Sequence, residues 1–214
     1  MKPPERSDDS WATRARAEMV REQLEGRGIR DPRVLDAMSR VPRHEFVPPS
    51  LRKEAYLDRP LPIGGGQTIS QPYIVALMTE LLELQGGEMV LDVGTGCGYQ
   101  AAVLAELGAR VVSIEIHMEL AARAAERLHR LGYEDILVEM ADGKLGWPSG
   151  APYDGIVVAA APDRVPKALL DQLAFGGRLI IPVGSGEQTL KRIVRTKEGF
   201  DERTVTKVAF VPLV

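Results

Sequence analysis

Residues 94–99 read GTGCGY and directly follow the apolar run MVLDV at 89–93. Glycines at 94, 96 and 98, between a predicted strand and a predicted helix, let the backbone approach a ligand closely. Glu115 lies 21 residues after Gly94, at the end of the next predicted strand. An acid at that spacing can accept hydrogen bonds from both hydroxyls of a ribose, which indicates a cofactor containing adenosine. Each feature alone has an alternative interpretation. The glycines are also compatible with an ordinary turn, and Glu115 with a solvated acid at a strand end.

The order of residues in this turn distinguishes between adenosine cofactors. A dinucleotide site has its third glycine at the position of Tyr99, whereas this turn has Gly98. Asp92 would repel a pyrophosphate but attract the ammonium and sulfonium groups of S-adenosylmethionine. The tripeptide ADG at 141–143, after the third strand, could hold adenine through an acidic side chain and a backbone amide, although it also reads as a turn. Three features at three successive strand ends predict S-adenosylmethionine as the cofactor.

A second polar stretch, QTISQPY, lies upstream at 67–73. Ser70 precedes Gln71-Pro72 and an apolar helix, so we expect Ser70 to be the N-cap of that helix. A hydroxyl and free backbone N–H groups at a helix N-terminus also form an anion site, which predicts a carboxylate substrate there. Methylation of a base amine is disfavoured, because AAAPDR at 159–164 lacks the polar-Pro-Pro-aromatic pattern of such enzymes.

The remaining reactive side chains are interpreted as non-catalytic. His44, His117 and His129 are scattered along the chain, so we expect structural or surface roles for them. Cys97 is the only cysteine, which excludes an intrachain disulfide and a multi-cysteine zinc site. No metal site is predicted.

The bulk composition describes an ordinary globular chain. It has 214 residues, 44% hydrophobic and 27% charged, with a net charge of −3. That charge argues against a dedicated nucleic-acid binder. The N-terminus is polar and no apolar run reaches ~18 residues, so neither a signal peptide nor a membrane span is predicted. We expect a cytoplasmic monomer without nucleic-acid or membrane partners.

The elements that must position these residues follow an alternating pattern. Residues 1–10 are predicted to be a loose tail, 11–24 a helix ended by Gly26 and Gly28, and Asp31-Pro32 the start of another helix. Residues 41–66, rich in proline and glycine, are predicted to be largely irregular.

Strands and helices then alternate up to Gly184, and a hairpin closes the chain. Strands are predicted at 89–93, 111–115, 136–140, 154–160 and 178–183, and helices at 72–85, 99–107, 118–131 and 164–174.

The pattern predicts a single α/β domain. Its sheet is doubly wound and mostly parallel, with an N-terminal helical extension and a C-terminal β-hairpin. We divide the domain into an extension (1–66), a cofactor-binding core (67–184) and C-terminal strands (185–214).

Several of these segments together resemble the protein-L-isoaspartate O-methyltransferase family. They are VPRHEFVPP, QTISQPYIVALM, VLDVGTGCGYQAAVLAEL, YDGIVVAAAP, GGRLIIPVG and FVPLV, in order from about residue 13 onward. The resemblance implies a Rossmann-like class I methyltransferase that moves a methyl group from S-adenosylmethionine to the α-carboxylate of L-isoaspartyl residues in damaged proteins, leaving S-adenosylhomocysteine. The implied repair follows when the ester collapses to a succinimide, which hydrolyses partly to aspartate.

The resemblance also assigns residues. It implies Ser70 as the active-site residue and Thr68, Ser70 and Val214 as substrate contacts. The implied cofactor-binding residues are Thr68, Ile69, Ser70, Asp92, Gly94, Thr95, Gly96, Glu115, Asp142 and Gly143. The chain departs from the family pattern at Cys97, where serine is common, and at Ala141, where glycine is common.

Three other readings stay open on the sequence. They are an enzyme of the same fold that acts on a small carboxylic acid, a cofactor-binding module without catalysis, and an NAD-linked reductase. Asp92 and Tyr99 disfavour the reductase.

Overall fold

A computed structural model describes residues 10–214. Of the predicted loose tail, residues 1–9 lie outside the described residues. Ser10, its last residue, is the first residue of a helix. That helix continues as a wider π-helical turn over Met19–Leu24, whose two end residues are fully buried. It closes with a 3₁₀ turn and ends at Gly28, which has a φ of 102°. The predicted helix and its glycine stop are therefore present, with a more irregular winding than expected.

The regular elements lie close to their predicted positions. The helices are α1 (Ser10–Glu18), α2 (Pro32–Arg40), α3 (Pro72–Leu82), α4 (Tyr99–Glu106), α5 (Met118–Arg130) and α6 (Lys167–Asp171). The strands are β1 (Leu61–Gly64), β2 (Gln67–Ile69), β3 (Met89–Val93), β4 (Arg110–Glu115), β5 (Leu137–Met140), β6 (Tyr153–Val158), β7 (Leu173–Val183), β8 (Gln188–Arg195) and β9 (Phe200–Val208).

Within residues 10–214, seven strands form one sheet in the order β5-β4-β3-β6-β7-β8-β9. The strands from β5 to β7 are parallel, and β8 and β9 are antiparallel additions at one edge. β3 is the central one of the five parallel strands, with Val93 paired to Ile114 of β4 and to Val158 of β6. Because parallel strands end at the same edge, the segments that follow β3, β4 and β6 meet there. The predicted fold class is confirmed.

Both faces of the central sheet are covered, which explains the short and nearly continuous apolar strands. Val90 packs in a core cluster with Met78 of α3 and Leu104 of α4. Leu91, the next residue, points to the opposite face and packs with Leu169 of α6. No helix in the described part of the chain is long and apolar enough to cross a membrane.

Two segments differ from the prediction. The irregular stretch contains an antiparallel hairpin, β1 with β2, joined at Gly65 and Gly66. The predicted helix at 164–174 is confined to α6, because β7 already begins at Leu173 and runs through two glycines. The hairpin of β8 and β9 is present as expected.

The N-cap of α2 gives a direct test of local stability. The Asp31 carboxylate accepts a hydrogen bond from the backbone N–H of Arg33 at 2.9 Å. We expect Asp31→Ala to lower the free energy of unfolding by about 1 kcal/mol in urea titrations, since a helix N–H loses its partner. Asp36→Ala on the exposed side of the same helix is the control, with a loss below about 0.5 kcal/mol. Equal losses in the two variants would contradict the capping role.

Candidate active site

The glycine turn connects the end of β3 to α4 and is tied to the neighbouring strand. The N–H groups of Gly94 and Thr95 both donate to the carbonyl of Ile114, at 2.9 and 3.0 Å. Gly94, Gly96 and Gly98 all have positive φ, between 54° and 95°. A side chain at any of these positions would be strained, and the glycine spacing is therefore a requirement of the turn.

Glu115, at the end of β4, holds this turn through its carboxylate. One oxygen accepts a hydrogen bond from the N–H of Gly96 at 2.8 Å. The other oxygen accepts from the N–H groups of Ile116 and His117, both at 3.0 Å. The residue is 94% buried yet borders the cleft above the turn. Because a carboxylate has about four lone-pair directions and three are used here, capacity remains for one ligand hydroxyl.

Asp92 lies beneath the turn and does not line the cleft. It is fully buried, and one oxygen accepts from the Ser113 hydroxyl at 2.8 Å. That hydroxyl also bonds the hydroxyl of Thr95 at 2.6 Å, which links the acid to the turn. The other oxygen has no hydrogen-bond partner among residues 10–214. Burial raises the pKa of Asp92 to about 7, against the lowering effect of Ser113, and Glu115 raises it further. The expected contact with the cofactor stays a prediction.

The ADG segment closes the cleft beyond β5. Gly143 borders the cleft, and a β-carbon there would lie only 2.7 Å from a methyl group of Val93 and 2.9 Å from Leu213. Only glycine fits without displacing the cleft wall. Asp142 is half-buried and does not line the cleft, and its carboxylate accepts from the N–H of Lys144 at 2.8 Å. Its predicted role toward adenine therefore also stays a prediction.

The T-I-S segment lies opposite the glycine turn. Ile69 is buried in the core, whereas Thr68 is exposed and Ser70 half-buried. The prediction that Ser70 caps α3 is wrong: Gln71 occupies the cap position and makes no side-chain cap bond. The reason is that Pro72 is the first helical residue, so the cap position falls on Gln71, one residue after Ser70. No hydrogen bond involves the Ser70 hydroxyl within the described chain, so it is available to a ligand.

A cleft with a cavity volume of about 80 Å³ lies between these segments. The C-terminal chain forms one wall, held by hydrogen bonds between Ala161 and the backbone of Val211 and Leu213. The structure brings most of the predicted residues to this cleft, including Val214 at the chain end. They are Thr68, Ile69, Ser70, Gly94, Thr95, Gly96, Glu115, Gly143 and Val214.

A second, open groove adjoins the cleft. Arg27, whose guanidinium stacks 3.7 Å from the ring of Tyr73, lines it together with residues 206–211 after and within β9. Four residues line both spaces: Thr68, Ser70, Ala159 and Val211. The two hydroxyl side chains thus lie at the junction between the cleft and the groove.

Sequence reasoning missed some residues of the site. His117 is exposed, in agreement with the expected surface position, and it also lines the cleft beside Glu115. Its position directly after a strand end was the available signal. His44 is buried and bonds the hydroxyl of Tyr56 at 2.7 Å, as a structural residue would. Arg43 was not singled out, yet its guanidinium donates to the carbonyl of Ser70 at 2.8 Å.

Comparison with known proteins identifies the family. The sequence model of the protein-L-isoaspartate(D-aspartate) O-methyltransferase (PCMT) family matches residues 14–214. The chain belongs to this family. A protein-L-isoaspartate O-methyltransferase from Synechococcus sp. (strain JA-2-3B'a(2-13)) is 53% identical over 220 residues, covering 99% of this chain and 89% of the relative. The resemblance inferred from the sequence is therefore confirmed.

Solved structures agree with this assignment. One, of a protein-L-isoaspartate O-methyltransferase, gives a TM-score of 0.83 at 30% identity. The match covers 92% of this chain and 65% of the chain in that structure. A second, a candidate PCMT from Plasmodium falciparum in complex with S-adenosyl-L-homocysteine, gives a TM-score of 0.80 at 26% identity. The match covers 93% of this chain and 98% of the chain in that structure.

The buried acid of the PCMT chain predicts a pH-dependent stability. The folded-state pKa of Asp92 lies near about 7 and above its ordinary value, so the folded protein holds an extra proton at mildly acid pH. Stability is therefore lost as pH rises toward about 7, where Asp92 must ionise in its buried position. Asp92→Asn removes this loss, and we expect it to raise stability relative to the parent by on the order of 2 kcal/mol at pH ~8 but little at pH ~5.

Chemical denaturation of the ligand-free protein at both pH values measures this difference. Asp163→Asn, an exposed acid near the sheet edge, is the control and should show no such dependence. A stability gain of Asp92→Asn that is the same at both pH values would contradict the ionisation of this buried carboxyl.

The thiol of Cys97 in the glycine turn is expected to be unreactive and to have no catalytic role. Cys97 is buried and lines the cleft, and burial raises the pKa of its thiol, so it stays protonated at neutral pH. We expect Cys97→Ser to keep kcat within about threefold of the parent in a methyl-transfer assay, since only thiolates are strong nucleophiles. Complete inactivity of a folded Cys97→Ser protein would assign the sulfur a direct role.

Proposed function

We propose that this PCMT-family chain transfers the methyl group of S-adenosylmethionine to the α-carboxylate of L-isoaspartyl residues in damaged peptides and proteins. The observation that carries this proposal is the position of Ser70 and Thr68, which line both the cleft and the groove. A cofactor in the cleft and a peptide in the groove would meet at these two hydroxyl groups.

The residues of the cleft fit S-adenosylmethionine. Glu115 keeps acceptor capacity for a ribose hydroxyl, and Gly143 forms a cleft wall that is packed closely against Val93 and Leu213. The turn at Gly94–Gly96 presents backbone rather than side chains to the methionine portion. Asp92, below the turn, adds a negative potential when it is ionised, which favours the cationic end of this cofactor. When bound, the cofactor supplies an electrophilic methyl group with a neutral leaving group.

The protein needs no strong base for this reaction. A peptide α-carboxylate has a pKa near ~3.5 and is already ionised at neutral pH. Ser70 donates a hydrogen bond to one carboxylate oxygen and so directs the other oxygen toward the methyl group. One oxygen–carbon bond forms as the carbon–sulfur bond breaks, and the methyl ester and S-adenosylhomocysteine are the products. Residues Val211–Val214 form the wall of the cleft beside this point.

The groove accounts for a polypeptide substrate rather than a small acid. It is open along the end of β9, where residues 206–211 offer an extended backbone to a peptide. An enzyme for a small carboxylic acid would need only an enclosed site.

We further propose that the chain works as a single-domain monomer in the cytoplasm, without a nucleic-acid or membrane partner. The net charge of −3 argues against a nucleic-acid partner. The single buried cysteine suits a reducing compartment.

Methyl transfer to two matched peptides tests the proposed function. One peptide contains L-isoaspartate and the other contains aspartate at the same position, and both are incubated with radiolabelled S-adenosylmethionine. We expect base-labile label on the isoaspartyl peptide alone, as a carboxyl methyl ester requires. Equal label on both peptides, or none on either with S-adenosylhomocysteine still bound, would contradict the proposal.

The serine at the junction gives a second prediction. We expect Ser70→Ala to lower kcat by about 10- to 1000-fold, the scale of one lost orienting donor, with the Kd for S-adenosylhomocysteine nearly unchanged. Ser50→Ala, an exposed serine outside both spaces, is the matched control and should behave as the parent. An equal collapse of cofactor affinity in Ser70→Ala would make Ser70 a structural residue instead.

A further inference from the structure

Arg43 is a fully buried basic side chain near the site. It lies in a short 3₁₀ turn of the N-terminal extension and is fully inaccessible to solvent. Its Nε donates to the carbonyl of Ala55 at 2.7 Å, and one Nη donates to the carbonyl of Ser70 at 2.8 Å. The guanidinium also stacks 4.8 Å from the ring of Tyr99, which lines the cofactor cleft. One side chain thus joins the extension, the T-I-S segment and the start of α4.

The charge of Arg43 has no acidic counterpart within residues 10–214. No carboxylate of these residues lies within ion-pair distance of the guanidinium, and its second Nη has no hydrogen-bond partner there. The groups closest to it electrostatically are Tyr99, Cys97 and Tyr56, which are neutral at physiological pH. A buried cation that has carbonyl acceptors but no acidic partner among residues 10–214 is costly, so its retention beside Ser70 favours an anion that arrives with a ligand.

We propose that Arg43 is a positioning residue that fixes the main chain at Ser70 and makes this junction selective for a negatively charged acceptor group. The inference rests on the proposed function, because that acceptor is the substrate α-carboxylate. The fork of donors holds the backbone from which the Ser70 hydroxyl projects. The cation behind that backbone favours a carboxylate over a neutral group of the same shape.

Two substitutions separate these contributions. Arg43→Lys keeps the charge but loses the two-pronged geometry, whereas Arg43→Gln removes the charge and can still donate to one carbonyl. Arg192→Met is the matched control, since Arg192 also donates to a backbone carbonyl, that of Leu81, but lies away from both the cleft and the groove.

The readout is the charge selectivity of peptide binding. Enzyme saturated with S-adenosylhomocysteine is titrated by calorimetry with an isoaspartyl peptide and with the same peptide carrying an α-carboxamide. We expect the parent to bind the acid about tenfold or more tightly than the amide, the scale of one hydrogen bond to a charged group. Arg43→Lys and Arg192→Met should retain that ratio, and Arg43→Gln should reduce it to about threefold or less.

Turnover supplies the second readout. Both Arg43 variants should lower kcat by about tenfold or more with the Kd for S-adenosylhomocysteine within about threefold of the parent, because the Ser70 backbone loses its support. If Arg43→Gln does not fold, a lowered kcat with retained selectivity in Arg43→Lys supports the positioning role, and an unchanged kcat overturns it.

Other outcomes also decide the matter. An unchanged acid-to-amide ratio in a folded Arg43→Gln protein overturns the charge selectivity, and an equal loss of cofactor affinity makes Arg43 a structural residue only. A parent enzyme without any preference for the acid contradicts the proposed function itself, which separates the two failures.

Discussion

The carboxylate of Glu115 accepts hydrogen bonds from the backbone of Gly96 on one side and of Ile116 and His117 on the other. It therefore joins the turn after β3 to the turn after β4, and the shape of the cofactor cleft depends on this junction. Parallel strands place the two turns at the same sheet edge, and the shared acceptor fixes their distance together with the hydrogen bonds from Gly94 and Thr95 to the carbonyl of Ile114. Because the same carboxylate borders the cleft and keeps one of about four lone-pair directions unused, it also bears on ligand binding.

The opposite side of the site depends on a different kind of constraint. Ser70 is held by its backbone, through the guanidinium of Arg43, and its hydroxyl has no partner in the described chain. A side chain that is free while its backbone is fixed can orient a ligand without first breaking another hydrogen bond. Such preorganisation suits the proposed reaction, in which the nucleophile is already ionised and only alignment and exclusion of water remain for the protein.

Much of the fold was predictable because both faces of the sheet are buried, and the strands consequently read as short apolar runs such as 89–93. The glycine turn and Glu115 were predictable because their roles depend on backbone conformation and spacing along the chain. The hairpin of β1 and β2 was not, since three consecutive glycines read as a loop whether or not their flanks pair. Arg43 was missed because arginine is usually exposed, and nothing in its local sequence reports full burial. Asp92 was expected to face the ligand, yet its depth below the turn depends on packing that no motif encodes.

The central claim is that the cleft and the groove meet at Ser70. A crystal structure of the protein with S-adenosylhomocysteine and an isoaspartyl peptide tests this most directly. The account predicts an α-carboxylate oxygen within about 3 Å of the Ser70 hydroxyl, with the other oxygen in line with the sulfur at the distance of one intervening methyl group. A peptide bound with its carboxylate away from Ser70 would contradict the account. So would a sulfur atom of S-adenosylhomocysteine that lies away from the junction of Thr68 and Ser70.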